Sequence, residues 1–170
     1  METLKIFNEE DVSEEELKDF RHRRAVRGVV FDADKNIALL HAVKEGYYGL
    51  PGGGVDKEES FEQGVIRECK EEIGCDINII SKLGKTLEYR KKHTMVNESH
   101  GFTANVIGEK GSPIFIGDEN EAEKNSVIIW TPILKAIELM ENTTKQENLY
   151  SQYCIERDLI FIKQAQKISN

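Results

Sequence analysis

The chain has 170 residues and a net charge of −8, from 23 Lys and Arg against 31 Asp and Glu. This length is enough for one sizeable core, while the acidic balance argues against a broad nucleic-acid-binding surface. The 3 cysteines show no paired spacing, which argues against a disulfide framework or a CxxC zinc site, and with an acidic N-terminus and no long apolar run the sequence predicts a cytoplasmic protein.

The first predicted elements are a short helix and a hairpin. Residues 13–20 suit a leading helix, because Ser13 followed by Glu16 can form a capping box. Alternating apolar residues predict strands over 24–31 and 37–43, and the polar segment 32–36 between them suits a turn. We therefore expect these two strands to pair as a hairpin.

A glycine-rich loop and a helix follow. Pro51 ends the preceding strand, and Gly52, Gly53 and Gly54 allow the backbone to approach a ligand closely. Glu59 and Ser60 suit the electropositive start of a helix, and Gly74 suits its end. Apolar residues recur every four positions between these limits and predict a buried stripe, namely Phe61, Val65, Cys69 and Ile73.

Three acidic residues of this helix form the strongest chemical signal. Glu68, Glu71 and Glu72 stand at i, i+3 and i+4, so their carboxylates project from one face beside the apolar stripe. Like charges at this spacing repel unless something positive lies between them. Hard oxygen ligands without Cys or His favour Mg²⁺, with Mn²⁺ as the alternative, and the Gly52 carbonyl could join them. The alternative interpretation is an acidic, solvated helix face.

The spacing of the loop and helix extends to seven positions: Gly53, Glu59, Arg67, Glu68, Glu71, Glu72 and Gly74. This resembles the Nudix box of the Nudix hydrolases, G-x5-E-x7-R-E-U-x-E-E-x-G-U, where U is a bulky aliphatic residue. Cys69 and Cys75 occupy the U positions. Because buried Cys behaves as a small hydrophobe, we expect slightly looser packing and intact chemistry.

The remaining elements alternate between strands and helices. Strands are predicted over 77–83, 85–91, 101–108, 114–116 and 126–130, a helix over 133–140 after Pro132, and a C-terminal helix containing Leu149, Tyr153 and Leu159. This order predicts an α/β sandwich with a mixed sheet. The resemblance sharpens it to the Nudix-type α/β/α fold, with an N-terminal extension over 1–23, the Nudix domain over 24–140, and a C-terminal helix over 141–170 packed on the domain.

The resemblance also implies a reaction, which is hydrolysis of the diphosphate linkage in a nucleoside diphosphate linked to a further group X. Glu68, Glu71 and Glu72 would then bind the metal with the Gly52 carbonyl, and Arg67 could hold a neighbouring carboxylate in position. In similar enzymes the general base is a box glutamate or a glutamate from another loop. Glu119, Glu121 and Glu123 offer such a loop, and Glu121 is our choice, although these acids also suit a solvated surface.

Three further residues are candidates for substrate binding. Arg27 alternates onto one strand face with Ala25 and Val29 and could reach the cleft, although the RHRR segment also suits a solvated start of the strand. Tyr89 could stack on a base, although aromatic residues in strands are more often core. Gly53 would let the loop backbone approach the substrate.

Two sequence marks of other Nudix subgroups bear on the substrate. The proline downstream of the box in ADP-ribose hydrolases and the SQPWPxPxS array are absent. This favours a nucleoside triphosphate or related nucleotide, cleaved to a monophosphate and diphosphate. A non-catalytic Nudix-fold nucleotide sensor and an enzyme similar to isopentenyl diphosphate isomerase remain alternatives. The expected partner is a small nucleotide rather than a membrane, and a homodimer is left open.

Overall fold

The computed structural model describes residues 1–113, 126–143 and 147–169. The strands are β1 Thr3–Phe7, β2 Arg21–Phe31, β3 Asn36–Ala42, β4 Tyr47–Gly49, β5 Asp76–Arg90, β6 Met95–Ile107 and β7 Ser126–Pro132. The helices are α1 Glu14–Leu17, α2 Phe61–Ile73, α3 Ile133–Glu141 and α4 Leu149–Ser169. None of the helices in these ranges is long and apolar enough to cross a membrane.

The strands of the described ranges form one mixed sheet in the order β1-β5-β6-β2-β3-β4, with β7 paired to β3. Strands β5 and β6 are antiparallel, whereas β2 runs parallel to β6 and β1 runs parallel to β5. Helix α2 covers one face of the sheet, and α3 and α4 cover the other. The predicted α/β/α sandwich with a mixed sheet is confirmed.

The long strand β5 joins two strands that the sequence separates. Asp76–Arg90 is continuous where 77–83 and 85–91 were expected, because two bulges let the pairing with β6 continue past Gly84. Gly84 has a φ of +134°, a conformation that suits glycine. Strand β6 also begins earlier than expected, at Met95. The predicted strand over 114–116 lies outside the described residues.

The predicted hairpin is wrong beyond its turn. Strands β2 and β3 pair only at Phe31 and Ile37, after which they diverge. Strand β2 instead pairs along its length with β6, and β3 pairs with β4 and β7. The turn itself is held by Asp32 Oδ1, which accepts hydrogen bonds from the N–H groups of Asp34 and Asn36. Local patterning therefore identified the strands and the turn but not the partners.

Helix α2 has the limits that the sequence predicts. Ser60 and Gln63 form a capping box at its start, and Gly74 ends it in the left-handed conformation with a φ of 67°. Val65, Cys69 and Ile73 are buried against the sheet. The thiols of both box cysteines are free and buried, as expected of small hydrophobic residues.

Candidate active site

The glycine loop lies along strand β2. Val26 N–H donates to the Gly53 carbonyl at 3.0 Å, and Gly28 N–H donates to the Pro51 carbonyl at 2.9 Å. Gly52 between them has a φ of +138°, and a Cβ at that position would overlap the Val26 carbonyl. A glycine is therefore required here for both conformation and space. These bonds hold the Gly52 carbonyl, which the sequence predicts as a metal ligand, at a fixed position beside β2.

Arg67 joins three carboxylates and the loop. Its Nε and Nη2 donate to the two oxygens of Glu59, each at 3.0 Å, and Nη2 also donates to the Gly54 carbonyl at 2.8 Å. Its Nη1 donates at 3.0 Å to both Glu68 Oε1 and Glu71 Oε2. A planar guanidinium with five donors suits this arrangement, because it can bond several acceptors at once. Arg67 is thus the positive partner that the crowded carboxylates of α2 need.

Glu72 connects the helix to the loop instead. Its Oε2 accepts a hydrogen bond from Gly52 N–H at 2.6 Å. The short distance is that of a charge-assisted bond. This bond and the contacts of Arg67 attach the acidic face of α2 to the glycine loop at two points. The spacing of the loop from the helix is set by side chains of the helix.

The acids around Arg67 differ in protonation behaviour. Burial raises the pKa of Glu68 above its usual value, although Arg67 opposes this effect. The hydrogen bonds from Arg67 hold the pKa of Glu59 below 4.5. Glu59 is therefore ionised with Arg67 across the neutral range, whereas Glu68 releases its proton less readily unless further positive charge is nearby.

Replacing Arg67 with Lys is expected to destabilise the chain by about 1–3 kcal/mol, because a single ammonium cannot bridge Glu59, Glu68 and Glu71. The value lies below that of a fully buried pair because 32% of the Arg67 side chain is exposed. Since the pKa of Glu59 is lowered, its share of this stability is present above pH 4.5 and is lost as the pH falls through the lowered value.

Urea unfolding of both proteins at neutral and acidic pH checks this expectation. The difference between wild type and Arg67→Lys should shrink at acidic pH. The exposed Arg21 on β2 offers a control for the same substitution, and Arg21→Lys should change stability by less than about 0.5 kcal/mol at either pH. Equal stability of wild type and Arg67→Lys at neutral pH would contradict the role of Arg67.

A cleft adjoins Gly52 and Glu72. Other described residues that line it include Arg27, Tyr47, Tyr48, Arg157 and Asp158. The structure therefore places Arg27 beside Gly52 and Glu72, and its role in substrate binding stays a prediction. Arg27 Nη1 donates to the Val26 carbonyl at 2.6 Å, and its Nε lies 3.6 Å from Asp158 Oδ1. Sequence reasoning did not propose Tyr47, Tyr48, Arg157 or Asp158, although three consecutive charged residues between apolar residues of α4 were a visible signal.

The residues present fit a divalent cation by their chemistry. Glu68, Glu71 and Glu72 lie on one face of α2, and a Cβ on Gly53 would come within 2.6 Å of both Glu68 oxygens, so the loop leaves space for that carboxylate. Within the part of the chain that the structure describes, no group of three or more His, Cys, Asp or Glu side chains is arranged to hold a metal. Arg67 binds Glu68 and Glu71, whereas Gly52 binds Glu72, so the three carboxylates do not share one partner. Their role as metal ligands stays a prediction.

One predicted site residue that the structure describes is not brought to this cleft. Tyr89 is a half-buried residue of β5 paired with Val96, and it is not among the described residues that line the cleft. Glu121, like Glu119 and Glu123, lies outside the described residues.

The RHRR segment is only partly solvated. Arg21 and His22 are exposed, but Arg23 and Arg24 are half-buried. Arg23 Nη1 donates to Asn97 Oδ1 at 2.8 Å, and Arg24 Nη2 donates to the Glu59 carbonyl at 3.0 Å. Burial, together with repulsion from Arg27, lowers the pKa of Arg23.

A mixed sheet between helices, with a glycine loop bonded to an acidic helix through an arginine, defines the Nudix class of protein. The NUDIX domain family model matches residues 21–153. The chain belongs to the Nudix family.

Individual relatives agree with this assignment. The chain is 32% identical over 114 residues to Nudix hydrolase 21, chloroplastic, of Arabidopsis thaliana, covering 66% of this chain and 54% of that one. It is 34% identical over 97 residues to the RNA pyrophosphohydrolase of Ruthia magnifica subsp. Calyptogena magnifica, covering 56% and 50%. The chain thus spans about half the length of these relatives. A NUDIX hydrolase from Nitrosomonas europaea shares the fold with a TM-score of 0.59 at 18% identity, over 86% of this chain and 91% of that one.

Proposed function

We propose that this chain is a metal-dependent Nudix pyrophosphohydrolase that cleaves the diphosphate linkage of a nucleoside diphosphate derivative. The observation that carries the proposal is the arrangement around Arg67 and Gly52. Arg67 donates hydrogen bonds to Glu68 and Glu71, and Gly52 donates one to Glu72. Gly52 and Glu72 line a cleft that Arg27 also lines. Two relatives named as a Nudix hydrolase and an RNA pyrophosphohydrolase support the same class of reaction.

The acidic residues of helix α2 would hold the metal ion. Glu68, Glu71, Glu72 and the Gly52 carbonyl would hold the cation, and their oxygen donors favour Mg²⁺, with Mn²⁺ as the alternative. A divalent cation, when bound, supplies charge neutralisation on the diphosphate oxygens and lowers the pKa of water. Arg67 keeps Glu68 and Glu71 on the loop side of the helix.

Other groups would meet the substrate. The Arg27 guanidinium suits a phosphate oxygen, and the Gly53 backbone leaves room for the substrate to approach. A glutamate takes a proton from the attacking water, and Glu121 is our choice for this general base. The roles of Tyr89 in stacking and of Glu121 in proton transfer stay predictions, as do a cytoplasmic location and a homodimer.

The substrate that we favour is a nucleoside triphosphate or a related nucleotide. The cleft encloses about 130 Å³, whereas a pocket that buries a whole drug-sized ligand has roughly 300–1,000 Å³. Only part of a nucleotide, such as a phosphate group, would therefore lie between Arg27 and Glu72. The tyrosines of β4 line the same cleft and offer aromatic surface to the nucleoside.

A substrate panel tests the proposal. Nucleoside triphosphates, ADP-ribose, dinucleoside polyphosphates and a 5′-triphosphorylated oligoribonucleotide are each incubated with Mg²⁺. For the triphosphates, phosphate is then counted with and without a coupled pyrophosphatase. For ADP-ribose and the dinucleoside polyphosphates, whose cleavage releases phosphomonoesters and no diphosphate, phosphate is counted after alkaline phosphatase. We expect a triphosphate substrate to release diphosphate, so that phosphate appears only with the coupling enzyme, and chelation with EDTA to abolish release. Turnover that persists in EDTA would contradict the proposal.

The same panel, extended with isopentenyl diphosphate, separates the alternatives. Nucleotide binding without turnover would indicate a sensor, and conversion of isopentenyl diphosphate would indicate the isomerase-like reaction. The complete set of box glutamates in the sequence favours hydrolysis over a sensor.

A further inference from the structure

The carboxylate of Asp158, on helix α4 and outside the box, contacts two distant parts of the chain and its own neighbour Arg157. Its Oδ2 accepts a hydrogen bond from Leu50 N–H at 2.9 Å, just before the glycine loop. Its Oδ1 accepts from Arg157 Nε at 2.8 Å and lies 3.6 Å from Arg27 Nε on β2. The residue is only 2% exposed, so these contacts replace water around the charge.

The fold leaves space for this carboxylate at the end of β4. A Cβ on Gly49 would lie 3.3 Å from Asp158 Oδ2, closer than side chains normally approach. Glycine at this position thus lets the helix carboxylate come close enough to bond Leu50. The hydrogen bond between Asp158 and Leu50 therefore depends on both the carboxylate at position 158 and the glycine at position 49.

Arg157 fixes the carboxylate from the other side. It is also 2% exposed, and its Nη1 donates to Glu88 Oε1 on β5 at 3.1 Å. Burial disfavours its charge, but Asp158, Cys154 and Glu88 together outweigh this effect and raise the pKa of Arg157. Hydrogen bonds of Arg157 and Asp158 therefore connect Glu88 on β5, through α4, to Leu50 beside the glycine loop.

Anchoring the helix is not a sufficient reason for these charges. Apolar residues of similar volume attach buried elements at least as well as an ion pair, which often contributes little net stability. Charged groups that form directional hydrogen bonds instead determine the positions of the groups that they contact. The positions determined here are those of Leu50, two residues before Gly52, and of Arg27, which lines the cleft with Glu72.

We propose that Asp158 is a positioning residue that sets the Leu50–Gly52 segment and Arg27 relative to Glu72. Leu50 lies two residues before Gly52, whose N–H donates to Glu72. Displacement of Leu50 would therefore shift Gly52 and disturb its hydrogen bond with Glu72. Displacement of Arg27 would separately weaken contact with a substrate phosphate. The inference rests on the proposed function, and it extends the site to the C-terminal helix.

Asp158→Asn tests this role, since asparagine has the same shape but lacks the charge. Glu156→Gln is the matched control: it makes the same chemical change two residues earlier, at a half-buried side chain that accepts from Gln152. Three properties are measured on the full chain: amide hydrogen exchange at Leu50 and Gly52 by NMR, the Kd for Mn²⁺, and kcat/KM on the best substrate of the panel.

For Asp158→Asn we expect faster exchange at Leu50, an Mn²⁺ Kd raised about tenfold, and kcat/KM lowered about tenfold or more with part of the loss in KM. The control should stay within about twofold in each measurement. If exchange at Leu50 rises while Mn²⁺ affinity and kcat/KM are unchanged, Asp158 is only structural and the inference is wrong. If the intact chain turns over no substrate, the proposed function fails, but exchange and Mn²⁺ binding still decide the role of Asp158.

Gly49→Ala provides a second variant in case Asp158→Asn does not fold. It retains every charge and adds one methyl group. This group displaces the Asp158 carboxylate, because the new Cβ would lie 3.3 Å from Oδ2. The same three properties should change in the same direction, by about threefold. Unchanged Mn²⁺ affinity and kcat/KM in a folded Gly49→Ala protein would overturn the inference.

Discussion

Glu72→Gln is expected to lower turnover by about a thousandfold while the protein remains folded. The amide oxygen of glutamine can still accept the hydrogen bond from Gly52 N–H, so the attachment of helix α2 to the loop is retained. The charge that would hold a divalent cation is lost. Removing one of several crowded like charges from a helix face also relieves repulsion, so thermal stability should change little.

The same substitution elsewhere on α2 provides the control. Glu62 forms a salt bridge with Lys82 at the surface, at 2.5 Å, and its side chain is 40% exposed. Glu62→Gln should therefore retain turnover within about twofold. Steady-state kinetics and thermal unfolding of both variants check the prediction. Full turnover in Glu72→Gln would show that the assignment of this ligand is wrong.

A methyl group on Gly53 is expected to lower turnover about a hundredfold. A Cβ at this position would come within 2.6 Å of both Glu68 oxygens, so the carboxylate must move away from its bond with Arg67 Nη1. The carboxylate is the end of a flexible side chain and can move, so Gly53→Ala should fold. Gly53→Val brings additional bulk beside β2 and should reduce both folding and turnover.

The neighbouring glycine offers a close control for this effect. A Cβ on Gly54 would find Arg23 Nη2 at 3.5 Å as its nearest atom, which is an ordinary van der Waals contact. Gly54→Ala should keep turnover within about threefold of wild type. The kinetics of Gly53→Ala and Gly54→Ala are compared at saturating metal. Equal activities would refute the view that space beside Glu68 matters for the reaction.

Much of helix α2 was predictable because its signals are local. A capping serine, an apolar residue every fourth position and a terminal glycine lie within one segment, and each acts on its immediate neighbours. Strand pairing depended on distant residues instead. Nothing near residues 24–31 indicates that β2 pairs in parallel with β6, more than 70 positions later. For the same reason the sequence predicts a break at Gly84, where two bulges let β5 continue.

The sequence by itself determined the acidic array and the family, because residues at i, i+3 and i+4 of a helix share one face whatever surrounds them. It also indicated that Arg67 would hold a neighbouring carboxylate. Only the tertiary structure decided that Arg67 joins Glu59, Glu68 and Glu71, and that Asp158 bonds Leu50 across 108 positions of the chain. Buried charges take whatever partners the packed strands and helices bring within hydrogen-bonding distance, and that proximity is not encoded in local spacing.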